Sequence, residues 1–155
     1  MKKVMILMLA PMFISSGNVK QIEVKRVKEQ KIVIAPKPIN KLVNALIHVE
    51  SRGNDSIIGD KHLPGNEAVG ALQIRPIMVR EVNRILKLQG KTERFKLKDR
   101  FDRTQSIRMF FIWKGYHHPN SDFEKIARNW NGGPNGYKYQ QTEKYWNKIQ
   151  QQLNN

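Results

Sequence analysis

The sequence predicts a mainly α-helical fold of short helices, with one long loop that has room for a small β-hairpin. Apolar residues recur at helical spacing in several segments, and turn-forming residues separate these segments. The chain has 155 residues, of which 39% are hydrophobic and 26% charged, as in ordinary globular proteins. It has no cysteine, which excludes a disulfide scaffold, a zinc site with thiolate ligands and a cysteine nucleophile.

Residues 1–17 are typical of a secretory signal peptide or an N-terminal anchor. Lys2 and Lys3 precede an apolar stretch from Val4 to Ile14, and small residues follow it. The apolar stretch is shorter than a transmembrane helix requires. This pattern predicts an exported protein of the periplasm, the cell envelope or the extracellular space.

Residues 18–38 are predicted to form a basic linker. This segment is rich in lysine, lacks a clear hydrophobic period and ends at Pro36 and Pro38. No aromatic residue lies among its basic residues, so it does not indicate a surface on which nucleic-acid bases stack. The folded domain is therefore expected to span residues 39–155.

The first helix of this domain is predicted from the apolar residues between Leu42 and Val49, with Gly53 as its stop. Glu50 lies in its last turn, on the side expected to be buried. The next segment, Asp55–Val69, is a long turn-rich loop of the kind that is more often functional than idle.

Four further helices are predicted from apolar spacing and from capping residues. The fourth is expected to end at a turn over Asn131–Gly136. The expected limits are Pro76 to about Gln89 with Gly90 as the stop, Asp102 or Thr104 to Gly115, a start at Ser121 with Glu124 in a capping box, and Thr142 to Leu153.

The net charge of the chain is +15, which predicts an anionic partner such as nucleic acid, a membrane face or an acidic polymer. The four histidines lack the spacing of a metal site, and His117–His118 beside Pro119 indicates a surface turn. The sequence contains no glycine-rich phosphate-binding loop. It therefore calls for no metal and no cofactor.

Glu50 is the candidate general acid. A carboxylate at the C-terminal end of an apolar helix faces the negative end of the helix dipole and loses hydration, and both effects raise its pKa. A carboxyl group with a pKa near neutrality can protonate a leaving oxygen. The alternative is an exposed Glu50 that pairs with Arg52, and Glu50 alone leaves both interpretations open.

Two further motifs extend the pattern around Glu50–Ser51. Gly70–Gln73 follows about twenty residues later, and Asn131–Gly133 comes near the end of the domain. With these motifs in this order, residues 40–136 resemble the lytic transglycosylase superfamily and the goose-type lysozymes. The resemblance implies a lysozyme-like α+β fold with a saccharide cleft. It also implies cleavage of the β-1,4 bond between N-acetylmuramic acid and N-acetylglucosamine in peptidoglycan.

The resemblance also implies residue roles. Glu50 corresponds to the catalytic acid/base, and Ser51 to the residue that helps to hold its carboxylate. Gly70 and Gln73 match a Gly-Leu-Met-Gln motif that lines the cleft, with Ala71 and Leu72 between them here.

Trp130, Asn131 and Gly133 match a Tyr-Asn-x-Gly element that binds substrate. Because Trp130 stands where the family usually has tyrosine, a hydroxyl against the catalytic carboxylate is expected to be missing. The indole N–H only donates hydrogen bonds, so it replaces part of that role. A sugar ring stacked on Trp130 is compatible with the substitution.

The resemblance leaves two reactions open. A lytic transglycosylase uses one glutamate and forms a 1,6-anhydromuramoyl product, whereas a lysozyme-type hydrolase positions a water, for which Asp60 is the candidate second carboxylate. Either enzyme, bacterial or phage-associated, would act as a monomer on peptidoglycan glycan strands, with anionic wall polymers as further partners. Nucleic acid is not expected as a partner. The rival interpretations are a basic nucleic-acid-binding protein and an inert wall-binding module.

Overall fold

The computed structural model describes residues 38–155, and the predicted signal segment 1–17 and linker before Pro38 lie outside this part of the chain. The described residues confirm a mainly α-helical fold. The α-helices are α1 (Pro38–Ser51), α2 (Pro76–Leu88), α3 (Arg103–His117), α4 (Phe123–Gly132) and α5 (Glu143–Asn154), and 3₁₀ turns cover Leu97–Phe101, Gly136–Lys138 and Gln140–Thr142.

The core forms where the apolar faces of these helices meet. Helix α1 packs against α4 and α5, and α2 packs against α3. The predicted apolar positions of α1 are buried, which explains why a 3.6-residue period is visible in this segment. Fully buried core side chains include Leu42, Leu46, Leu86, Met109, Phe110, Ile126 and Ile149. No helix in residues 38–155 is both long enough and apolar enough to cross a bilayer.

The predicted limits of α2 are confirmed, whereas the predicted end of α3 is wrong. Pro76 occupies the first turn of α2, where its missing N–H is no loss. Asp102 caps α3 by accepting a hydrogen bond from the Gln105 N–H at 2.9 Å, as expected. Gly115 does not end α3, because a glycine inside a helix lowers its stability without breaking it. The helix ends at His117, before Pro119.

The predicted capping box of α4 is also wrong. The Asp122 carboxylate caps α4 by accepting from the Lys125 N–H at 2.8 Å. The Glu124 carboxylate pairs with Arg128 instead of turning back to the helix start, and the Ser121 hydroxyl lies 3.3 Å from a ring nitrogen of His118. The helix continues to Gly132, so the first part of the expected turn is helical.

The loop between α1 and α2 does not form the expected β-hairpin. Within the described residues it has only two isolated antiparallel bridges, Ile58 to Val69 and Val69 to Ile74, and no strand. Asp60 and Gln73 have φ angles of 49° and 47°, so they turn the backbone out of the extended conformation. The loop is thus held by turns rather than by a ladder.

Buried Arg100 holds this loop against the 3₁₀ turn Leu97–Phe101. Its guanidinium donates to the carbonyl oxygens of Glu67 at 2.9 Å and Ile74 at 3.0 Å. Gly70 lies so close to this turn that a Cβ there would come within 1.9 Å of the Arg100 carbonyl oxygen. Gly70 also has a φ angle of 77°, so glycine is required at this position on both grounds.

Candidate active site

A cleft of about 1040 Å³ is lined by the end of α1, the loop before α2, and parts of α2, α3 and α4. It brings together six of the residues that the sequence singled out, from segments far apart in the chain. Ser51 and Gly70 are not among its lining residues. The six are Glu50, Asp60, Gln73, Trp130, Asn131 and Gly133.

Glu50 is partly buried in the last turn of α1, and the structure places a tyrosine hydroxyl directly against it. The Tyr145 hydroxyl on α5 donates a hydrogen bond of 2.7 Å to Oε1 of Glu50. Tyr145 was not among the predicted site residues, because its position in the last helix fits an apolar face. The hydroxyl that was expected to be missing beside the carboxylate is therefore supplied from α5.

Burial raises the pKa of Glu50 to about 7. The negative charge of Asp60 adds a smaller upward effect, and the hydrogen bond from Tyr145 opposes both. The pKa of Tyr145 is raised in turn, first by burial and then by the charge and hydrogen bond of Glu50. Glu50 can therefore hold a proton near neutral pH and release it there.

Ser51 shapes the end of α1 rather than the carboxylate. Its buried hydroxyl donates to the Ile47 carbonyl at 3.0 Å and accepts from the Gly53 N–H at 3.2 Å. Both hydrogen bonds join the Ser51 side chain to the backbone at the end of α1, where the Gly53 N–H also reaches the Ile47 carbonyl at 3.4 Å. The structure thus gives Ser51 a role in ending the helix next to Glu50, in place of a bond to the Glu50 side chain.

Gln73 forms part of the cleft wall. Its side-chain amide donates to the Gly70 carbonyl at 3.0 Å, which fixes the side chain across the turn. A Cβ on Gly59 would come within 2.3 Å of Oε1 of Gln73, so a larger residue there would displace the Gln73 amide. Gly70 therefore supports Gln73 through its backbone carbonyl, although Gly70 does not line the cleft itself.

Asp60 faces the cleft, but its carboxylate is already engaged. Its Oδ2 atom lies 2.5 Å from a guanidinium nitrogen of Arg75, which also lines the cleft. About a third of the Asp60 side chain is exposed. Asp60 thus brings a carboxylate to the cleft, but part of its hydrogen-bonding capacity is used by Arg75.

Trp130 connects the cleft to the core. Its ring packs edge-on against Phe110 at 5.2 Å and against Trp113 at 5.2 Å, and the residue also lines the cleft. Asn131 is exposed at the end of α4, where Gly133 caps the helix with a φ angle of 78°. Trp130 and Asn131 thus bring an aromatic ring and an amide to the cleft wall.

Arg128 holds the segment that carries Tyr145 in place. Its side chain is only 8% exposed, and it donates to Glu124 at 2.8 Å, to the Thr142 hydroxyl at 2.9 Å and to the Tyr139 carbonyl at 3.1 Å. Thr142 directly precedes α5. Arg128 therefore fixes the start of α5 relative to α4, and with it the direction from which Tyr145 approaches.

The cleft also contains charged groups that were not predicted to lie there. His117 and His118 line the cleft together with Glu81 and Lys125. His117 is exposed at the end of α3, as expected, whereas His118 is buried, so the expected surface position is wrong for His118. Trp113 packs against the His118 ring at 4.8 Å, which draws that ring inward. Local sequence carries no signal for this tertiary contact.

Within residues 38–155, no group of three or more His, Cys, Asp or Glu residues is arranged to hold a metal ion. The side chains of the cleft can support proton transfer by Glu50, hydrogen bonding by amides and imidazole, and stacking on Trp130. Comparisons with protein-family models, curated proteins and solved structures found no match.

Proposed function

We propose that this protein is a peptidoglycan-cleaving enzyme that acts on the β-1,4 bond between N-acetylmuramic acid and N-acetylglucosamine. The observation that carries the proposal is Glu50, a carboxyl group with a pKa of about 7 that is held by Tyr145 at the wall of the cleft. The lysozyme-like order of motifs adds support, because it arises from the sequence independently of this geometry. The signal-like residues 1–17 suit an enzyme of the cell wall.

The proposed reaction is that of a lytic transglycosylase with Glu50 as its single acid/base. Glu50 first donates its proton to the glycosidic oxygen, and the bond from this oxygen to the muramic acid C1 breaks. The substrate's own N-acetyl oxygen stabilises the positive charge at C1. The ionised Glu50 then removes the proton from the C6 hydroxyl, whose oxygen bonds to C1 and gives the 1,6-anhydro product.

Tyr145 suits both steps, because its hydroxyl donates to the ionised carboxylate and holds it in one orientation. In this proposal Gln73 and Asn131 bind polar groups of the sugars, and a sugar packs on Trp130. Hydrolysis of the same bond is the second candidate, because Asp60 places another carboxylate in the cleft. Its ion pair with Arg75 leaves it less able to activate a water, which favours the transglycosylase reaction.

Digestion of purified peptidoglycan, followed by mass spectrometry of the released muropeptides, tests the proposal. The wild-type protein is expected to release anhydro products, and Glu50→Gln to release none. Glu93→Gln is the matched control, since it removes a carboxylate outside the cleft. Release of reducing ends alone would establish the hydrolase instead, and unchanged release by Glu50→Gln would contradict the role of Glu50. Binding without release by the wild type would indicate an inert wall-binding module.

A further inference from the structure

Basic groups collect on the side of the cleft formed by the end of α3 and the start of α4. Lys125 lines the cleft from the first turns of α4, and His117 and His118 line it from the end of α3. Lys114 lies one turn earlier on α3, and its ammonium donates to the Pro119 carbonyl at 3.0 Å. We call Lys114, His117, His118 and Lys125 the basic subsite.

His118 is the buried member of the basic subsite. It is 6% exposed, and its Nδ1 atom lies 3.3 Å from the Ser121 hydroxyl. This is the single hydrogen bond of the ring within the described residues, so Nε2 is left for a ligand in the cleft. With Nδ1 accepting from Ser121, the Nε2–H becomes a donor.

The surroundings of His118 carry positive charge. Burial lowers its pKa, and the charges of His117, Lys125 and Lys114 lower it further. Burial disfavours any charged group here, whereas the neighbouring positive charges disfavour a further cation and favour an anion. An anionic group of a ligand would therefore gain from both the charges and the neutral imidazole donor.

The carboxylate of Glu81 on α2 and the carboxylates at the start of α4 are already paired or used as caps. Glu81 accepts from Arg84 at 2.6 Å and lies 2.6 Å from His117. Asp122 caps α4, and Glu124 pairs with Arg128. Within residues 38–155, no carboxylate lies in ion-pair distance of the Lys125 ammonium.

We propose that the basic subsite binds a carboxylate of the glycan substrate, with Lys125 as the counter-ion and Nε2 of His118 as the hydrogen-bond donor. This inference rests on the proposed function and names the form of glycan that the cleft selects. In peptidoglycan, carboxylates belong to the peptides attached to muramic acid, or to its lactyl group where the peptide has been removed. An uncharged glycan would leave the subsite without its ligand.

The test uses soluble glycan strands in three forms. One form keeps its peptides, the second has lost them to an amidase and keeps lactyl carboxylates, and the third has all carboxylates coupled to an uncharged amine. Binding is measured with the full chain in the Glu50→Gln background at near-physiological salt, so that cleavage does not alter the ligand and long-range attraction is screened. The added changes are Lys125→Gln, Lys125→Arg and, as control, Lys148→Gln. Lys148 is an exposed lysine of α5 outside the cleft.

We expect Lys125→Gln to weaken binding of a carboxylate-bearing form by about 2- to 5-fold, the range of an exposed ion pair. Lys125→Arg is expected to retain binding, and Lys148→Gln to change it little. The loss should vanish on the carboxyl-blocked strands, and the amidase-treated form shows which carboxylate is bound.

An equal loss for Lys125→Gln and Lys148→Gln, the same loss on blocked strands, or no binding of any form would overturn the subsite. Cleavage by the parent protein is assayed separately. If Lys125-dependent binding occurs without cleavage, the subsite stands and the proposed reaction fails. If cleavage occurs without Lys125-dependent binding, the reaction stands and the subsite fails.

Discussion

Replacing Glu50 with glutamine is expected to stabilise the folded protein relative to the wild type as the pH rises from about 4 to about 8. Burial raises the pKa of Glu50 from 4.5 to about 7, so between these values the folded state keeps a proton that the unfolded state has lost. The free energy of unfolding of the wild type therefore falls across this window. At about 1.4 kcal/mol per pH unit, the fall due to Glu50 is about 3 kcal/mol.

Glutamine has no proton to lose, and its side-chain oxygen can still accept the hydrogen bond from Tyr145. The difference in free energy of unfolding between Glu50→Gln and the wild type should thus grow by about 3 kcal/mol from pH 4 to pH 8. Denaturant unfolding at several pH values measures it, and titrating groups that do not interact with Glu50 cancel in the difference. Glu93→Gln, which removes an exposed carboxylate, should show no such growth. A difference that stays constant within about 0.5 kcal/mol would refute the assignment of a buried, proton-retaining Glu50.

Two further predictions concern the surroundings of this carboxyl group. Tyr145→Phe removes the hydrogen bond that lowers the pKa of Glu50. The decline of kcat/KM above about pH 7 should therefore move to higher pH. A decline that stays in place or moves to lower pH would contradict the role of Tyr145. Arg128→Met leaves Glu124 and the Thr142 region without their partner and should lower the free energy of unfolding by about 3 kcal/mol. Arg128→Lys should lower it by a smaller amount. Thermal unfolding measures both losses, and a loss below about 1 kcal/mol for Arg128→Met would show that Arg128 does not hold α5.

The fold was predictable where local chemistry decides it. Pro76 begins α2 and the Asp102 carboxylate caps α3, because both effects depend on neighbouring residues alone. The capping of α4 was not predictable in the same way, since Ser121 and Asp122 are both good caps and tertiary contacts decided between them. Ser121 is drawn to His118, which leaves Asp122 to cap the helix.

The candidate site was predictable in its first carboxyl group but not in that group's partner. Glu50 follows from its place at the end of an apolar helix. Its partner Tyr145 lies 95 residues away. The sequence does contain one signal. Tyr145 lies on the same helix face as Ile149, and a tyrosine hydroxyl that is buried with such a face needs a hydrogen-bond partner. Choosing Glu50 as that partner requires the packing of α5 on α1, which no local pattern contains.

The hydrogen bond between Glu50 and Tyr145 joins the first and last helices of the described domain, and this has a consequence for the order of events during synthesis. The segment with Glu50 leaves the ribosome long before α5 exists. Until α5 docks, Glu50 lacks both its tyrosine partner and part of the burial that raises its pKa. A growing chain therefore carries Glu50 before the site exists, and its hydrogen bond with Tyr145 forms only when α5 has been made and packed.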